Sequence, residues 1–328
     1  MLGGASSVSL QQGAYKTEPK ARLSVQSVRL VQQPCLAFQT ERRATQALTP
    51  SSFCPTFWPR HNPDSRMAKP YPQIVLFGDS LFQGCAHVSD GFSFQASLQC
   101  HVMRRFDVVN RGFSGWNTAN ALKYLPDIIA PPSESGPQLK CLLVLLGAND
   151  AVQPMETTTQ GVPLAEYKQN LLKIVTHPNI TAHKPKILLV TPPPIDEIRI
   201  TELDLPWGHP KPTRTAKISA EYTQAARDVA AEVPGVTLID LWAALHDYAG
   251  RKTPGLVKDG GPLLGTPELG KRGGLAALLP DGLHMSGEGY KVFYKIVVPH
   301  IGQEYQGLPE DDRTDYVHPD WRDVNPPA

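Results

Sequence analysis

The chain has little of what marks membrane proteins or nucleic-acid-binding proteins. Its 328 residues contain no apolar run close to the length, about 20 residues, that a helix needs to span a bilayer. The first residues also lack the continuous apolar segment of a secretory signal. The formal net charge is only +1, which gives no support for a nucleic-acid partner. We therefore expect a protein with no transmembrane segment and no nucleic-acid ligand.

Cysteine is scarce, and its spacing matches no metal-ligand pattern. The five cysteines are Cys35, Cys54, Cys85, Cys100 and Cys141. Residues 265–272 approach a phosphate-binding loop but lack its final Ser or Thr, and no G-x-G-x-x-G follows the first predicted strand. We therefore predict no metal and no cofactor. An odd number of cysteines without a pairing pattern indicates a reduced, cytoplasmic protein.

Residues 1–66 differ in composition from the rest of the chain. They are rich in Ser, Gln, Thr and Arg, show no sustained periodicity, and contain eight basic residues against three acidic ones. Three interpretations stay open: a disordered N-terminal extension, a mitochondrial presequence, or an artefact of the gene model with Met67 as the true start. A real presequence would change the expected location from cytoplasmic to mitochondrial.

From residue 72 onward, short apolar runs alternate with helical patterns. The runs lie at 74–77, 106–109, 142–146, 187–190 and 236–239. Between them, segments such as 164–175 and 218–229 place apolar residues on one helical face. Continuous apolar strands separated by helices predict a three-layer α/β/α fold around a flavodoxin-like, five-stranded parallel sheet.

We predict one domain over residues 67–302, followed by a C-terminal tail over 303–328 that wraps the domain. Residues 241–280 are frequent in Gly and Pro and indicate a loop-like insertion near the pocket. A disordered surface loop is the alternative interpretation of that segment.

The apolar run at 74–77 leads directly into Gly-Asp-Ser-Leu at 78–81. A serine where a buried strand turns into a helix can be a nucleophile, but a serine there is more often a helix N-cap. Three further short motifs follow: Arg-Gly-Phe-Ser-Gly at 111–115, Gly-Ala-Asn-Asp at 147–150 and Asp-Gly-Leu-His at 281–284. Each alone is more often a turn or a structural residue. Together, each after a predicted strand or before a predicted helix, the four motifs indicate one site.

The four motifs, in this order, resemble those of the SGNH hydrolases, also called the GDSL-type esterase/lipase family. The resemblance is closer still to the isoamyl acetate-hydrolysing esterases of that family. This resemblance rests also on residues 145–151, residues 281–291 and the motif Trp-Arg-Asp-Val at 321–324. It covers roughly residues 70 to 325. It implies the SGNH hydrolase fold and a serine esterase that hydrolyses short-chain, acetate-type esters.

The resemblance also implies roles for single residues. Ser80 would attack the ester carbonyl, His284 would transfer the proton, and Asp281 would orient the imidazole. If 281–284 form one helical turn, the carboxylate and the imidazole are neighbours. The oxyanion hole would consist of the backbone N–H groups of Ser80 and Gly115 and the side-chain amide of Asn149, which we expect at the end of a buried strand.

Apolar residues near the predicted strand ends could form a small substrate pocket. They are Phe82, Phe113, Trp116, Val152, Pro193 and Trp207. About half of such residues are expected to be core or surface residues instead. We assign Asp79 and Asp150 to loop structure, as acceptors of backbone N–H bonds.

The predicted partner is a small-molecule ester, and a homodimer stays open. Two other functions also stay open at this point. One is a non-catalytic ligand-binding module on the same fold, with Ser80 as a helix cap. The other is an acyltransferase that passes the acyl group to an alcohol or a sugar instead of water.

Overall fold

The described residues form a sheet of five parallel strands. The strands are β1 (Gln73–Gly78), β2 (Asp107–Gly112), β3 (Leu139–Leu145), β4 (Lys186–Val190) and β5 (Val236–Ile239). Their order across the sheet is β2-β1-β3-β4-β5, which confirms the predicted flavodoxin-like topology. In the pairing register Gly78, the last residue of β1, lies beside Gly112 of β2 and Leu145 of β3. The carboxyl ends of the central strands therefore meet at one edge.

The computed structural model describes residues 68, 70–258, 260–305, 307–309 and 312–325. The predictions made for residues 1–66 lie outside that range. No helix in the described ranges has the length and apolar character that crossing a membrane requires.

Helices connect the strands and cover both faces of the sheet. They are α1 (Ser80–Gln83), α2 (Phe94–His101), α3 (Thr118–Ile128), α4 (Leu164–Val175), α5 (Pro178–Thr181), α6 (Glu197–Asp204), α7 (Ala216–Glu232), α8 (Leu241–Lys252), α9 (Leu275–Leu278), α10 (Gly287–Val297) and α11 (Trp321–Val324). Short 3-10 helices add Gly84–Ala86, Val298–His300 and Gln303–Tyr305. The periodicity over 164–175 and 218–229 is confirmed by α4 and α7.

Two apolar cores lie on opposite faces of the sheet because successive strand side chains point in opposite directions. In β1, Leu76 packs in the core that includes residues of α2, α8 and α10. Its neighbour Phe77 packs in the core that includes residues of α3, α4 and α7. Both side chains are fully buried, which is why the strand has a continuous apolar run. The predicted three-layer α/β/α arrangement is confirmed.

The prediction of a loop-like segment over 241–280 is wrong at its start. α8 occupies the first part of it, and the Asp240 side chain caps this helix by accepting a hydrogen bond from the Ala243 N–H at 3.0 Å. Leu241, Leu245 and Ala249, spaced by four residues, are all buried. The Gly- and Pro-rich residues that follow obscured this helical pattern.

Part of the C-terminal tail lies against the loop that follows α2. Arg104 Nη1 pairs with Asp320 Oδ2 at 3.1 Å, and its Nη2 donates to the Pro319 carbonyl at 2.8 Å. The Val317 N–H donates to the Arg104 carbonyl at 3.0 Å. These bonds fix residues 317–320 beside Arg104, while the extent of the tail and the domain limits stay predictions.

Candidate active site

Ser80 is the first residue of α1 and follows β1 after a single intervening residue. That residue, Asp79, caps α1 by accepting a hydrogen bond from the Leu81 N–H at 2.9 Å. The helix cap is therefore Asp79 and not Ser80, so the serine hydroxyl is not needed for capping. Ser80 Oγ lies 2.8 Å from Nε2 of His284, a residue 204 positions later in the chain.

The other imidazole nitrogen of His284 faces Asp281. Nδ1 of His284 lies 2.7 Å from Oδ2 of Asp281. Oδ1 of the same carboxylate accepts hydrogen bonds from the backbone N–H groups of Leu283 at 3.0 Å and His284 at 2.8 Å. The three side chains of Ser80, His284 and Asp281 thus form one continuous hydrogen-bonded row.

The geometry of residues 281–284 corrects one prediction. They form a turn and not a helical turn, because Gly282 has a φ of +92°. A Cβ at this position would lie 2.9 Å from the Asp196 carbonyl oxygen, so the turn also needs the absence of a side chain. The carboxylate reaches the imidazole through this turn.

The electrostatics of the row favour an ionised carboxylate beside a basic imidazole. Burial disfavours the charge on Asp281, but the hydrogen bonds from His284 and from the backbone N–H groups outweigh burial and lower the pKa of Asp281 to about 2. The hydrogen bond to Asp281 raises the pKa of His284 above its ordinary value, against the effect of burial. The carboxylate can therefore stabilise an imidazolium that forms when His284 accepts a proton.

A buried ion pair braces the turn that carries His284. The Asp196 N–H donates to the Gly282 carbonyl at 2.8 Å, and the fully buried Asp196 carboxylate is hydrogen-bonded to Nε of Arg272. The same carboxylate caps α6 through the Arg199 N–H at 3.1 Å. Asp196 therefore connects the start of α6, the segment before α9 and the His284 turn.

Replacing Arg272 by methionine should destabilise the fold. The change would leave the buried Asp196 carboxylate without its cation, and breaking such a pair typically costs about 3 kcal/mol or more. We expect the low end of that range because the Arg272 side chain is 28% exposed. The free energy of unfolding in urea would be compared with that of Lys271→Met, an exposed neighbour. A cost for Arg272→Met no larger than for Lys271→Met would contradict the bracing role.

Gly115 follows β2 in a loop that approaches β1. The Phe113 N–H donates to the Gly78 carbonyl at 2.9 Å, which keeps this loop beside the start of α1. Gly115 has a φ of +80°, a conformation that favours glycine. No acceptor for its N–H is found among the described residues, and the same holds for the Ser80 N–H, so both are free to bind a ligand.

Asn149 is placed by a turn and not, as predicted, by the end of a strand. β3 ends at Leu145, and the turn over 147–151 is closed by the Ala151 N–H, which donates to the Gly147 carbonyl at 3.0 Å. Asn149 Nδ2 donates to the Trp116 carbonyl at 2.8 Å, one residue from Gly115. This bond brings the amide to the same edge of the sheet as Ser80.

Arg214 is a site residue that the sequence did not reveal. Its Nη2 donates to Asn149 Oδ1 at 2.8 Å and its Nε to the Ala148 carbonyl at 2.6 Å. Arg214 lies in a loop just before α7 and belongs to none of the four sequence motifs. Its position next to Thr215, the N-cap of α7, was the only signal available, and it does not distinguish Arg214 from other loop arginines.

Asp79 and Asp150 have the structural contacts predicted for them. Asp79 accepts from the Leu81 N–H, as described above, and Asp150 accepts from the Thr118 N–H at 2.9 Å and from the Thr118 hydroxyl. Both carboxyls are fully buried. Burial raises the pKa of Asp79 to about 7 and that of Asp150 to about 6.

The predicted pocket residues fall into four groups. Phe82 is fully buried in the core and stacks on Phe293 at 5.9 Å between ring centroids, so its assignment to a pocket is wrong. Trp207 is 82% exposed, so its assignment to a pocket is also wrong. Phe113 and Trp116 are partly buried and stack at 4.1 Å between centroids next to Gly115. The remaining two residues, Val152 and Pro193, are buried.

A cavity of about 790 Å³ lies away from this site. It is lined by residues at the amino ends of the strands, among them Ile74, Lys140 and Lys186. Within the part of the chain that the structure describes, no group of three or more His, Cys, Asp or Glu side chains could hold a metal ion.

The chain belongs to the GDSL-like Lipase/Acylhydrolase family, whose sequence model matches residues 76–292. The matched range contains all four sequence motifs. The protein is therefore a carboxylic ester hydrolase of the GDSL type, which agrees with a serine and a histidine in hydrogen-bond contact at the sheet edge.

Individual relatives support the same assignment. A GDSL esterase/lipase of Arabidopsis thaliana is 34% identical over 237 residues, which are 71% of this chain and 86% of the relative. The isoamyl acetate-hydrolyzing esterase 1 homolog of Bos taurus is 30% identical over 260 residues, 77% of this chain and 88% of the relative. Among solved structures, an acetyl xylan esterase shares the fold, with a TM-score of 0.50 and 16% identity over 70% of this chain and 99% of that chain.

Proposed function

We propose that the protein is a serine esterase that hydrolyses short-chain, acetate-type carboxylic esters through an acyl-enzyme. The observation that carries this proposal is the row from Ser80 Oγ to His284 Nε2 at 2.8 Å and from His284 Nδ1 to Asp281 Oδ2 at 2.7 Å. The relatives named for hydrolysis of isoamyl acetate support a short acyl group.

In the first half-reaction Ser80 Oγ attacks the carbonyl carbon of the ester, and His284 Nε2 accepts the hydroxyl proton. The tetrahedral intermediate collapses as the bond to the alcohol oxygen breaks, and His284 returns the proton to that oxygen. Asp281 keeps Nδ1 protonated and stabilises the transient imidazolium. An alcohol leaves and an acyl-Ser80 remains.

In the second half-reaction water takes the place of the alcohol. His284 accepts a proton from water as its oxygen attacks the acyl carbon, and the proton then passes to Ser80 Oγ as the acyl bond breaks. The carboxylic acid leaves and the resting row is restored. The side chains of His284 and Asp281 are 46% and 45% exposed, which supports direct access of water to the acyl-enzyme.

The negative oxygen of each tetrahedral intermediate needs hydrogen-bond donors. We propose the N–H groups of Ser80 and Gly115 and the second N–H of Asn149 Nδ2, the first being bonded to the Trp116 carbonyl. Three contacts hold the elements that carry these donors: the Asp79 cap of α1, the Phe113–Gly78 hydrogen bond in the loop of Gly115, and the Asn149–Trp116 hydrogen bond. Little reorganisation would therefore accompany the reaction.

Replacing Asn149 by alanine should lower kcat about 10²- to 10³-fold with little change in KM, because the lost donor acts mainly on the intermediate. Hydrolysis of p-nitrophenyl acetate would be followed at saturating substrate. Asn179→Ala is a matched control, since Asn179 Nδ2 also donates to a backbone carbonyl, that of Ile129, at 2.8 Å. Equal effects of the two substitutions would remove Asn149 from the proposed oxyanion hole.

The acyl preference is tested with p-nitrophenyl esters of increasing acyl length. The stacked pair Phe113 and Trp116 would form one wall of the pocket, so we expect kcat/KM to be highest for acetate and to fall as the acyl chain lengthens. A maximum at long chains would overturn the short-chain proposal. Measuring hydrolysis and acyl transfer at varied alcohol concentration would separate water from an alcohol as the natural acceptor.

We also propose a cytoplasmic location, which the free thiols of Cys85, Cys100 and Cys141 support. Burial raises the pKa of the Cys85 and Cys141 thiols to about 12, so these two are unreactive. Mass spectrometry of the native N-terminus combined with cell fractionation would test this. Cleavage upstream of residue 67 together with mitochondrial recovery would favour a presequence instead.

A further inference from the structure

Arg214 makes contacts with Asn149 that determine how the amide is oriented. A guanidinium carries only hydrogen-bond donors, and a carbonyl oxygen is only an acceptor. The atom of the Asn149 amide that lies 2.8 Å from Arg214 Nη2 must therefore be the acceptor, Oδ1. The atom that lies 2.8 Å from the Trp116 carbonyl oxygen must be the donor, Nδ2. A flipped amide would place donor against donor and acceptor against acceptor.

The same guanidinium also holds the backbone of the turn. Arg214 Nε donates to the carbonyl of Ala148, the residue before Asn149, at 2.6 Å. One rigid, planar group thus fixes both the side-chain oxygen of Asn149 and the peptide that precedes it. A lysine could not reproduce this bridge, because a single ammonium lacks the fork of the guanidinium.

Arg214 is itself held in place from both sides along the chain. The Thr213 N–H is hydrogen-bonded to the Asp204 carboxylate at 2.5 Å, and the Thr213 carbonyl accepts from the Gln153 N–H at 2.8 Å. The next residue, Thr215, caps α7 by accepting from the Ile218 N–H at 3.2 Å. A long helix and an anchored loop therefore present the guanidinium to the turn.

We propose that Arg214 is a positioning residue for ester hydrolysis, which holds the Asn149 amide with its nitrogen toward the reacting carbonyl and places a positive charge behind it. The proposal rests on the proposed function, in which Asn149 is an oxyanion donor. Because the Arg214 cation pulls electron density toward Asn149 Oδ1, it strengthens the Nδ2 N–H as a donor.

The charge of Arg214 has a second measurable consequence. Arg214 is among the groups that lower the pKa of His284, opposing the larger effect of Asp281. Burial lowers the pKa of Arg214 itself, while the carboxylates of Asp204, Asp79 and Asp281 oppose that change. Removing the cation should therefore make His284 easier to protonate and move the acid limb of the kcat/KM profile to higher pH.

The test is a double-mutant cycle between Arg214 and Asn149. Arg214→Met should lower kcat about 10- to 100-fold with little change in KM, somewhat less than loss of the donor itself. In the Asn149→Ala background the same substitution should cost no more than about threefold, because residues that act through one contact are not additive. Arg214→Lys should lower kcat as well but leave the acid limb where it is, since it keeps the charge and loses the bridge.

Arg251→Met serves as the matched control, because Arg251 is an exposed arginine in the last turn of α8. Thermal melting would verify that each variant is folded. If Arg214→Met does not fold, the same cycle with Arg214→Lys decides the question. Equal costs of the Arg214 substitution in the two backgrounds, or no cost in the wild-type background, would overturn the positioning role.

The outcome also separates this inference from the proposed function. If Ser80→Ala keeps its turnover, the proposed serine esterase mechanism fails, whatever Arg214 does. If Ser80→Ala and Asn149→Ala both lose activity but Arg214 is additive with Asn149, only the role of Arg214 fails.

Discussion

Replacing Ser80 by alanine is expected to lower kcat by about 10⁵- to 10⁶-fold, the range typical for loss of the nucleophile from a serine hydrolase triad. The alanine has no hydroxyl to form the acyl-enzyme, while the surrounding contacts remain. Asp79 would still cap α1 through the Leu81 N–H, so the fold and substrate binding should persist. The measurement is p-nitrophenyl acetate hydrolysis, together with covalent labelling by a fluorophosphonate and intact-protein mass.

Ser97→Ala is the control for this experiment, since Ser97 lies within α2 and is not part of the row. We expect one fluorophosphonate adduct on the wild type and on Ser97→Ala, and none on Ser80→Ala. Labelling of Ser80→Ala at an unchanged rate would show that another residue is the nucleophile and would end the proposed mechanism.

Replacing Asp281 by asparagine is expected to lower kcat by about 10⁴-fold, as loss of the orienting carboxylate does in serine hydrolases. Asp281 Oδ1 accepts two backbone N–H groups, so the asparagine oxygen would take that position and its NH₂ would face His284 Nδ1. Nδ1 would then have to be an acceptor, which leaves the proton on Nε2. Nε2–H cannot accept the Ser80 proton.

The same substitution should move the acid limb of the pH profile in a defined direction. The hydrogen bond that His284 Nδ1 donates to Asp281 raises the pKa of His284, and activity requires the neutral imidazole. Asp281→Asn should therefore lower the pKa of His284 and move the acid limb to lower pH, while the plateau rate falls. Asp247→Asn, an exposed residue of α8, is the control. A shift of the limb to higher pH would contradict the assigned pairing.

Much of the fold could be predicted because it depends on short-range periodicity. A strand buried on both faces has to be apolar throughout, so the run at 74–77 marked β1. α4 and α7 followed from apolar residues repeated every three to four positions. α8 was missed because its three buried positions lie in a window dominated by the Gly- and Pro-rich residues after it.

The site was predicted less completely than the fold. Ser80 and His284 belong to short motifs whose order along the chain is that of a known family. The structure places their side chains in contact. The pocket was predicted only from proximity to strand ends. That criterion cannot tell which way a side chain points, so it included Phe82, which points into the core, and Trp207, which points to solvent.

The sequence alone determined the parallel sheet, the flavodoxin-like strand order and the family, because apolar periodicity and short motifs are local properties of the sequence. The tertiary structure decided the contacts between residues far apart in sequence, such as Ser80 and His284, 204 positions apart, and Asn149 and Arg214, 65 positions apart. Such contacts depend on how strand ends and loops meet at one edge of the sheet. No local pattern encodes the direction in which the Arg214 side chain turns toward Asn149.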